Sequence, residues 1–188
     1  MTDDIAAFSH LAIGVPDIDA AARFYGEVFG FQPARATFTA SGDDMVRLLE
    51  VPDADLEALF MRKDGLFIEL LKYTNSFSRR DLPLHDNEYG YVHLSFRVSD
   101  LEDTLRKIDE LGGTALRETR IEMEMPGAAH PTTFMFALDP FGNRIELIQH
   151  LDLESVQGHR EFLQVQDLDW STRELLATPP RRASIAAS

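Results

Sequence analysis

Two stretches of this chain repeat two others, and this internal duplication constrains the fold more than any other feature. Residues 10–30, HLAIGVPDIDAAARFYGEVFG, align with residues 93–113, HLSFRVSDLEDTLRKIDELGG, at an offset of 83. Residues 65–73, GLFIELLKY, align with residues 142–150, GNRIELIQH, at an offset of 77. The two offsets differ by six residues, which a loop can absorb. A two-copy repeat of this length indicates a folded module used twice, and not a solenoid.

Each copy has the same predicted order of elements, β-α-β-β-β. Asp17 and Asp100 stand where helix N-caps belong, each before apolar residues at helical spacing. Gly30 and the pair at 112–113 are predicted to end the two helices. Strands are predicted at 8–14, 33–39, 56–62 and 66–73 in the first copy, and at 91–98, 114–119, 132–138 and 143–149 in the second.

These elements predict the domain organisation. The first module covers residues 1–74, with an inserted helix or lid near 41–55, and the second covers residues 91–151. A polar linker at 75–90 joins them. Residues 152–188 form a C-terminal extension and tail, in which 152–177 is predicted to be helical, with Trp170 as a packing anchor.

Composition excludes several classes of function. The chain has no cysteine, so a metal could be held only by His, Asp or Glu. The formal charge of −14 argues against a nucleic-acid partner or an anionic membrane, because both need a basic face. No apolar run approaches the roughly 20 residues of a membrane span, and the start MTDDIAAFSH does not resemble a signal peptide. We therefore expect a cytoplasmic protein without a membrane partner.

The repeat places four candidate metal ligands at matched positions. Glu69 and Glu146 each lie between apolar residues in the last predicted strand of a module, and His10 and His93 lie on the first strands. Taken singly, a strand histidine is usually packed in the core and a strand glutamate usually faces solvent. Their recurrence as two matched pairs favours a site for one divalent ion per chain. Imidazole and carboxylate ligands are compatible with Zn, Ni, Co, Mn or Fe.

The paired histidines, the two IEL segments and the DPFGNRIEL stretch at 139–147 resemble the vicinal oxygen chelate superfamily. That superfamily includes glyoxalase I, methylmalonyl-CoA epimerase, bleomycin- and fosfomycin-resistance proteins and extradiol dioxygenases. The resemblance covers residues 8–150. It implies an α+β fold in which tandem βαβββ modules form curved mixed sheets around a metal, and a small-molecule substrate that binds this metal through two vicinal oxygens. It also suggests a homodimer.

The number of ligands bears on the reaction. Four protein ligands leave two open positions on an octahedral ion, which a chelating substrate fills. This favours proton transfer through a metal-bound enediolate or enolate, as in a glyoxalase-type lyase or an epimerase-type isomerase. By resemblance, Glu146 is the expected catalytic base and Glu69 its partner or alternate.

Two alternatives remain open. An extradiol ring-cleaving dioxygenase would need room for dioxygen, and iron sites of that kind have three protein ligands. A non-catalytic binding or resistance protein would use the same cavity, but such proteins commonly lack the metal ligands. An anionic substrate would also need local positive charge, for which Arg47, Arg79, Arg80, Arg117 and Arg120 are available, although each is typical of a solvated surface residue.

Overall fold

The computed structural model describes residues 8–75, 87 and 89–162. The chain divides into two compact units, Met1–Asp81 and Leu82–Ser188, and each contains one sheet. Most of the predicted linker, together with Trp170 and the predicted helical residues 163–177, lies outside the described residues.

The first unit has a five-stranded sheet. Its elements are β1 (Leu11–Gly14), α1 (Ile18–Phe29), β2 (Gln32–Pro33), β3 (Phe38–Ser41), α2 (Asp43–Leu49), β4 (Asp55–Lys63) and β5 (Leu66–Tyr73). The strand order is β1-β5-β4-β2, and β3 also pairs with β4. Strand β1 runs parallel to β5, and the other pairs are antiparallel.

The single strand predicted at 33–39 is wrong, because the chain forms the two short strands β2 and β3 there. Pro33 ends β2, and a proline has no N–H to give to a continuing ladder. Helix α2 lies within the range where an inserted helix or lid was predicted.

The second unit has a four-stranded sheet in the order β6-β9-β8-β7. Its elements are β6 (Leu94–Val98), α3 (Leu101–Glu110), β7 (Thr114–Met123), β8 (Thr132–Leu138), β9 (Arg144–Gln149) and α4 (Leu153–Phe162). Strand β6 runs parallel to β9, and the other pairs are antiparallel. The predicted β-α-β-β-β order is therefore confirmed in this unit, although β7 extends past the predicted end at 119 and its register shifts between Leu116 and Ile121.

The first helix of each unit begins at the predicted aspartate. The carboxylate of Asp17 accepts a hydrogen bond from the backbone N–H of Ala20 at 3.0 Å, and that of Asp100 accepts one from Asp103 at 2.9 Å. Gly30 ends α1 in the left-handed conformation, with φ of 77°, which a residue without Cβ adopts at little cost. Helix α1 packs on β4 and β5, and α3 packs on β7 and β9. One face of each sheet is thus covered by its own helix.

The last strand of each unit alternates between the helix-covered face and the opposite face. Ile68 and Leu70 are fully buried in β5, as are Ile145 and Leu147 in β9. The residue between each pair, Glu69 or Glu146, is only partly buried. Because successive strand residues point to opposite faces, both glutamates project from the face that the helix does not cover. Among the helices of the described ranges, none combines the length and apolar character needed to cross a membrane.

Candidate metal centre

The first unit brings His10 and Glu69 together, and we call these two residues the first half-site. His10 lies directly before β1, and Glu69 is paired in the sheet with Ala12 on one side and Phe60 on the other. The His10 Nε2 atom is 3.1 Å from Glu69 Oε2. Two contacts orient the imidazole: its Nδ1 is 2.9 Å from the Ser9 hydroxyl, and its ring meets Phe60 edge to face at 5.1 Å. The Nε2 atom is thereby directed toward the carboxylate.

The second unit repeats this arrangement with His93 and Glu146, which we call the second half-site. Phe136 pairs with Glu146 in the sheet and meets the His93 ring at 5.5 Å, as Phe60 does with His10. The distance from His93 Nε2 to Glu146 Oε2 is longer, at 3.9 Å. The same Glu146 oxygen accepts a 2.6 Å hydrogen bond from the hydroxyl of Ser95.

The chemistry and spacing of these side chains fit a divalent ion. Two adjacent ligands, each about 2.0–2.2 Å from one ion, lie roughly 3 Å apart when they subtend a right angle at it. The first half-site already has that spacing, and the second needs a shift of roughly 1 Å. All four side chains keep some exposure, between 15% and 33%, so an ion could reach them. Within the described part of either unit, no third His, Asp or Glu joins the pair.

An arginine accompanies each half-site, and neither arginine was singled out from the sequence. The Arg35 guanidinium lies 3.8 Å from the ring centre of Phe38 and 4.8 Å from that of Phe60. The Arg144 guanidinium lies 4.2 Å from the ring centre of Phe136. Each therefore stacks on the phenylalanine that also contacts the half-site histidine.

None of the arginines proposed from the sequence is seen beside a half-site in the described residues. Arg47, Arg117 and Arg120 form surface ion pairs with Asp44, Asp109 and Glu102 at 2.7 to 2.8 Å, and Arg79 and Arg80 lie outside the described residues. Arg144 could have been found, because it lies two residues before Glu146 and so shares its face of β9. Arg35 lies between β2 and β3, where no periodicity points to it.

A second polar cluster lies in the second unit, where α4 meets the end of β9. His150 Nε2 is 3.1 Å from His159 Nδ1, and His150 Nδ1 is 3.1 Å from the Thr132 hydroxyl. Burial lowers the pKa of His150 to about 4, and repulsion from Arg97, and from His159 when it is protonated, adds to this effect. The pKa of His159 is also lowered, first by burial and then by Arg97, while the Glu146 carboxylate opposes the shift. Both imidazoles are therefore neutral near pH 7.

Comparison with known proteins identifies the family. The chain belongs to the Glyoxalase/Bleomycin resistance protein/Dioxygenase superfamily, whose model matches residues 7–147. Both half-sites fall within the matched range. This confirms the resemblance inferred from the paired histidines and the IEL segments.

Individual relatives have different named activities. The chain is 29% identical over 145 residues to a 2-epi-5-epi-valiolone epimerase from Actinomyces sp., covering 76% of this chain and 78% of the relative. It is 28% identical over 146 residues to a probable lactoylglutathione lyase from Synechocystis sp., covering 74% and 92%. The crystal structure of a glyoxalase family protein from Bacillus cereus matches with a TM-score of 0.65 at 19% identity, over 80% of this chain and 98% of that one. The predicted α+β fold is thereby confirmed.

Proposed function

We propose that this protein is a divalent-metal-dependent enzyme that binds two neighbouring oxygens of a small substrate and transfers a proton at the adjacent carbon. The observation that carries the proposal is the duplicated His–Glu pair. Each pair projects from the sheet face that the unit's helix leaves uncovered, and the His10–Glu69 pair has the spacing of two ligands of one ion. A bound ion would supply Lewis-acid stabilisation of the negative charge that develops on a substrate oxygen.

The four residues divide the work between holding the ion and moving the proton. We assign His10, His93, Glu69 and Glu146 as the residues that would hold the ion, and Glu146 in addition as the base. Glu146 is the better candidate for the base because it is the more loosely paired of the two glutamates, at 3.9 Å from its histidine against 3.1 Å for Glu69. A base that abstracts a proton must have an oxygen free to accept it.

The proton transfer needs no oxidant or reductant. The C–H bond next to the substrate carbonyl breaks, its electron pair stays on the substrate as an enediolate or enolate, and the proton passes to a Glu146 oxygen. Return of the proton to the neighbouring carbon completes an isomerisation of the glyoxalase type. Return to the opposite face of the same carbon completes an epimerisation. The relatives named as a lyase and as an epimerase support both outcomes.

Solvent deuterium exchange tests this proposal. The protein, loaded with Co²⁺, Ni²⁺, Zn²⁺ or Mn²⁺ in separate samples, is incubated in D₂O with 2-epi-5-epi-valiolone or with lactoylglutathione, and substrate protons are followed by NMR. We expect metal-dependent exchange at the carbon next to a carbonyl with at least one of these compounds. The absence of a bound ion after reconstitution with each of these metals and with Fe²⁺ would overturn the proposal.

An oxygen electrode separates this reaction from the dioxygenase alternative. A proton-transfer enzyme works equally well without oxygen, whereas ring cleavage of a catechol would consume one dioxygen per turnover. Tight binding of a compound without exchange or turnover would instead support a binding or resistance protein.

The location, oligomeric state and partners of the protein are also matters of proposal. We propose that it is a cytoplasmic homodimer with a small-molecule substrate and with no nucleic-acid or membrane partner. The net charge of −14 supports the last two points, because it disfavours anionic surfaces. Light scattering on the full chain tests the dimer, and a monomeric mass at micromolar concentration would contradict it.

A further inference from the structure

The two half-sites differ by one hydroxyl group. Ser95 pairs with Glu146 across the parallel strands β6 and β9, and Ala12 pairs with Glu69 across β1 and β5. Serine and alanine therefore occupy the same place in the two copies, on the same face as the glutamate beside them. Only the serine can give that glutamate a side-chain hydrogen bond.

The geometry of the carboxylates follows this difference. Without a hydroxyl beside it, Glu69 Oε2 lies 3.1 Å from His10 Nε2. With the Ser95 hydroxyl 2.6 Å away, Glu146 Oε2 lies 3.9 Å from His93 Nε2. The oxygen that accepts the serine hydrogen bond is also the one nearest the histidine. The hydroxyl thus competes for the oxygen that would bind an ion.

We propose that Ser95 is a positioning residue that makes Glu146, and not Glu69, the carboxylate that leaves the metal and serves as the base. This inference rests on the proposed function. A carboxylate that gives up a cation while partly buried needs another partner, and a short hydrogen bond to an ionised oxygen is a strong one. Ser95 supplies that partner in the second half-site. In the first half-site, Ala12 supplies none, so a bound ion would be the partner that holds Glu69.

Atoms are conserved in the step that Ser95 supports. The hydroxyl keeps its own proton and continues to donate it to Glu146 Oε2. The substrate proton goes to the second oxygen of the same carboxylate, which the serine does not occupy. One hydrogen bond therefore holds the detached glutamate while its other oxygen works as the base.

Metal affinity, measured without any substrate, tests the inference. Co²⁺ binding to the metal-free full chain is compared for the parent protein, Ser95→Ala, Ser95→Thr and Ala12→Ser, by competition with a chromophoric chelator. Removal of the competing hydroxyl should tighten binding about tenfold in Ser95→Ala, the scale of one hydrogen bond to a charged group. Ser95→Thr keeps the hydroxyl and should match the parent. Ala12→Ser should weaken binding, because it gives Glu69 the competing partner that it lacks.

Deuterium exchange in the Co²⁺ proteins supplies the second measurement. Ser95→Ala should exchange the substrate proton more slowly although it binds the ion more tightly, a combination that simple loss of folding would not give. Equal Co²⁺ affinity in the parent and Ser95→Ala would overturn the role of Ser95 while leaving the proposed function intact. Failure of the parent itself to bind any ion would overturn the proposed function. Matching far-UV circular dichroism of the metal-free variants shows that the comparison concerns the site and not the fold.

Discussion

His150 and His159 share a hydrogen bond of 3.1 Å between buried rings, and this bond joins the end of β9 to α4. One imidazole nitrogen must carry a proton and the other must lack one. A second contact links His150 to the hydroxyl of Thr132, so both nitrogens of the His150 ring have partners inside the protein. A proton added to the acceptor nitrogen would remove this bond and bury a positive charge.

Stability should therefore fall in mild acid. The folded-state pKa of His150 is about 4 and that of His159 is also lowered, whereas an unfolded histidine titrates near its ordinary value of 6.5. The unfolded chain then binds more protons between about pH 4 and about pH 6.5, so the free energy of unfolding falls as pH drops through this window. Urea unfolding at about pH 7.5 and about pH 5 should differ by roughly 1–2 kcal/mol from this source.

His150→Gln is the control for this pH dependence. Glutamine keeps hydrogen-bonding groups but does not titrate, so the variant should be less stable at neutral pH and should lose less stability in acid. The same acid loss in the variant and the parent would assign it to other groups.

Gly158→Ala should destabilise the second unit, even though the substitution is in helix α4. Alanine in a helix is normally about 1 kcal/mol better than glycine. At this position its Cβ would lie 2.5 Å from the Pro126 carbonyl oxygen and 3.2 Å from Met125 Cβ, so α4 would have to move away from the connection between β7 and β8. We expect a lower melting temperature by differential scanning fluorimetry. Gln157→Ala, at the exposed neighbouring position, is the matched control and should change it little.

Metal binding should stabilise the full chain. When the concentration of free ion is about 100 times the dissociation constant, binding adds about 2.7 kcal/mol to the free energy of unfolding. Elemental analysis should find about one ion per chain after reconstitution, and a chelator should reverse the increase in melting temperature. The double variant His10→Ala with His93→Ala should show neither effect. A metal-dependent increase that persists in this variant would place the ion elsewhere.

The two glutamates should respond differently to the same substitution. Glu146→Gln keeps an amide oxygen that can still bind an ion but removes the base, so the exchange rate should fall about 100-fold or more. Glu69→Gln should mainly weaken metal binding and should affect the rate less once the metal is saturating. If Glu69→Gln lost more rate than Glu146→Gln at saturating metal, the base would be Glu69 and not Glu146.

Deletion of everything after Leu151 should lower stability. The deletion removes α4, whose Val156 is 2% exposed and whose Ser155 hydroxyl donates a hydrogen bond to the His130 carbonyl. It also uncovers His150, the residue directly after β9. We expect a lower melting temperature and lower solubility than in the full chain. An unchanged melting temperature would mean that α4 adds nothing to the second unit.

Much of the fold was predictable because each pattern in one copy of the repeat has a counterpart in the other copy that supports it. Asp17 and Asp100 cap helices as predicted, and the alternation around Glu69 and Glu146 places each glutamate opposite the buried aliphatic residues. The sequence did not predict that each histidine lies beside its own glutamate; this arrangement comes from the parallel pairing of β1 with β5 and of β6 with β9. The binding of one ion by both pairs together remains a prediction.

Other features depend on contacts distant in sequence. Arg35 reaches Phe60 from a connection without periodicity, and His159 reaches His150 from a helix outside the repeat. Ser95 was visible in the alignment opposite Ala12, but its meaning required the register that pairs it with Glu146. The effect of Pro33, in contrast, is local: it could have been read from the sequence, but the prediction of a single strand at 33–39 overlooked it.

The tandem repeat also has an evolutionary consequence. An ancestral protein that carried one module would have to associate with an identical copy, and any substitution would then alter both halves at once. Fusion of two modules into one chain removes this constraint. A serine can then arise at position 95 while alanine stays at position 12. Two equivalent carboxylates can in this way diverge, so that one is specialised for binding an ion and the other for proton transfer. The architecture that the two copies inherited need not change.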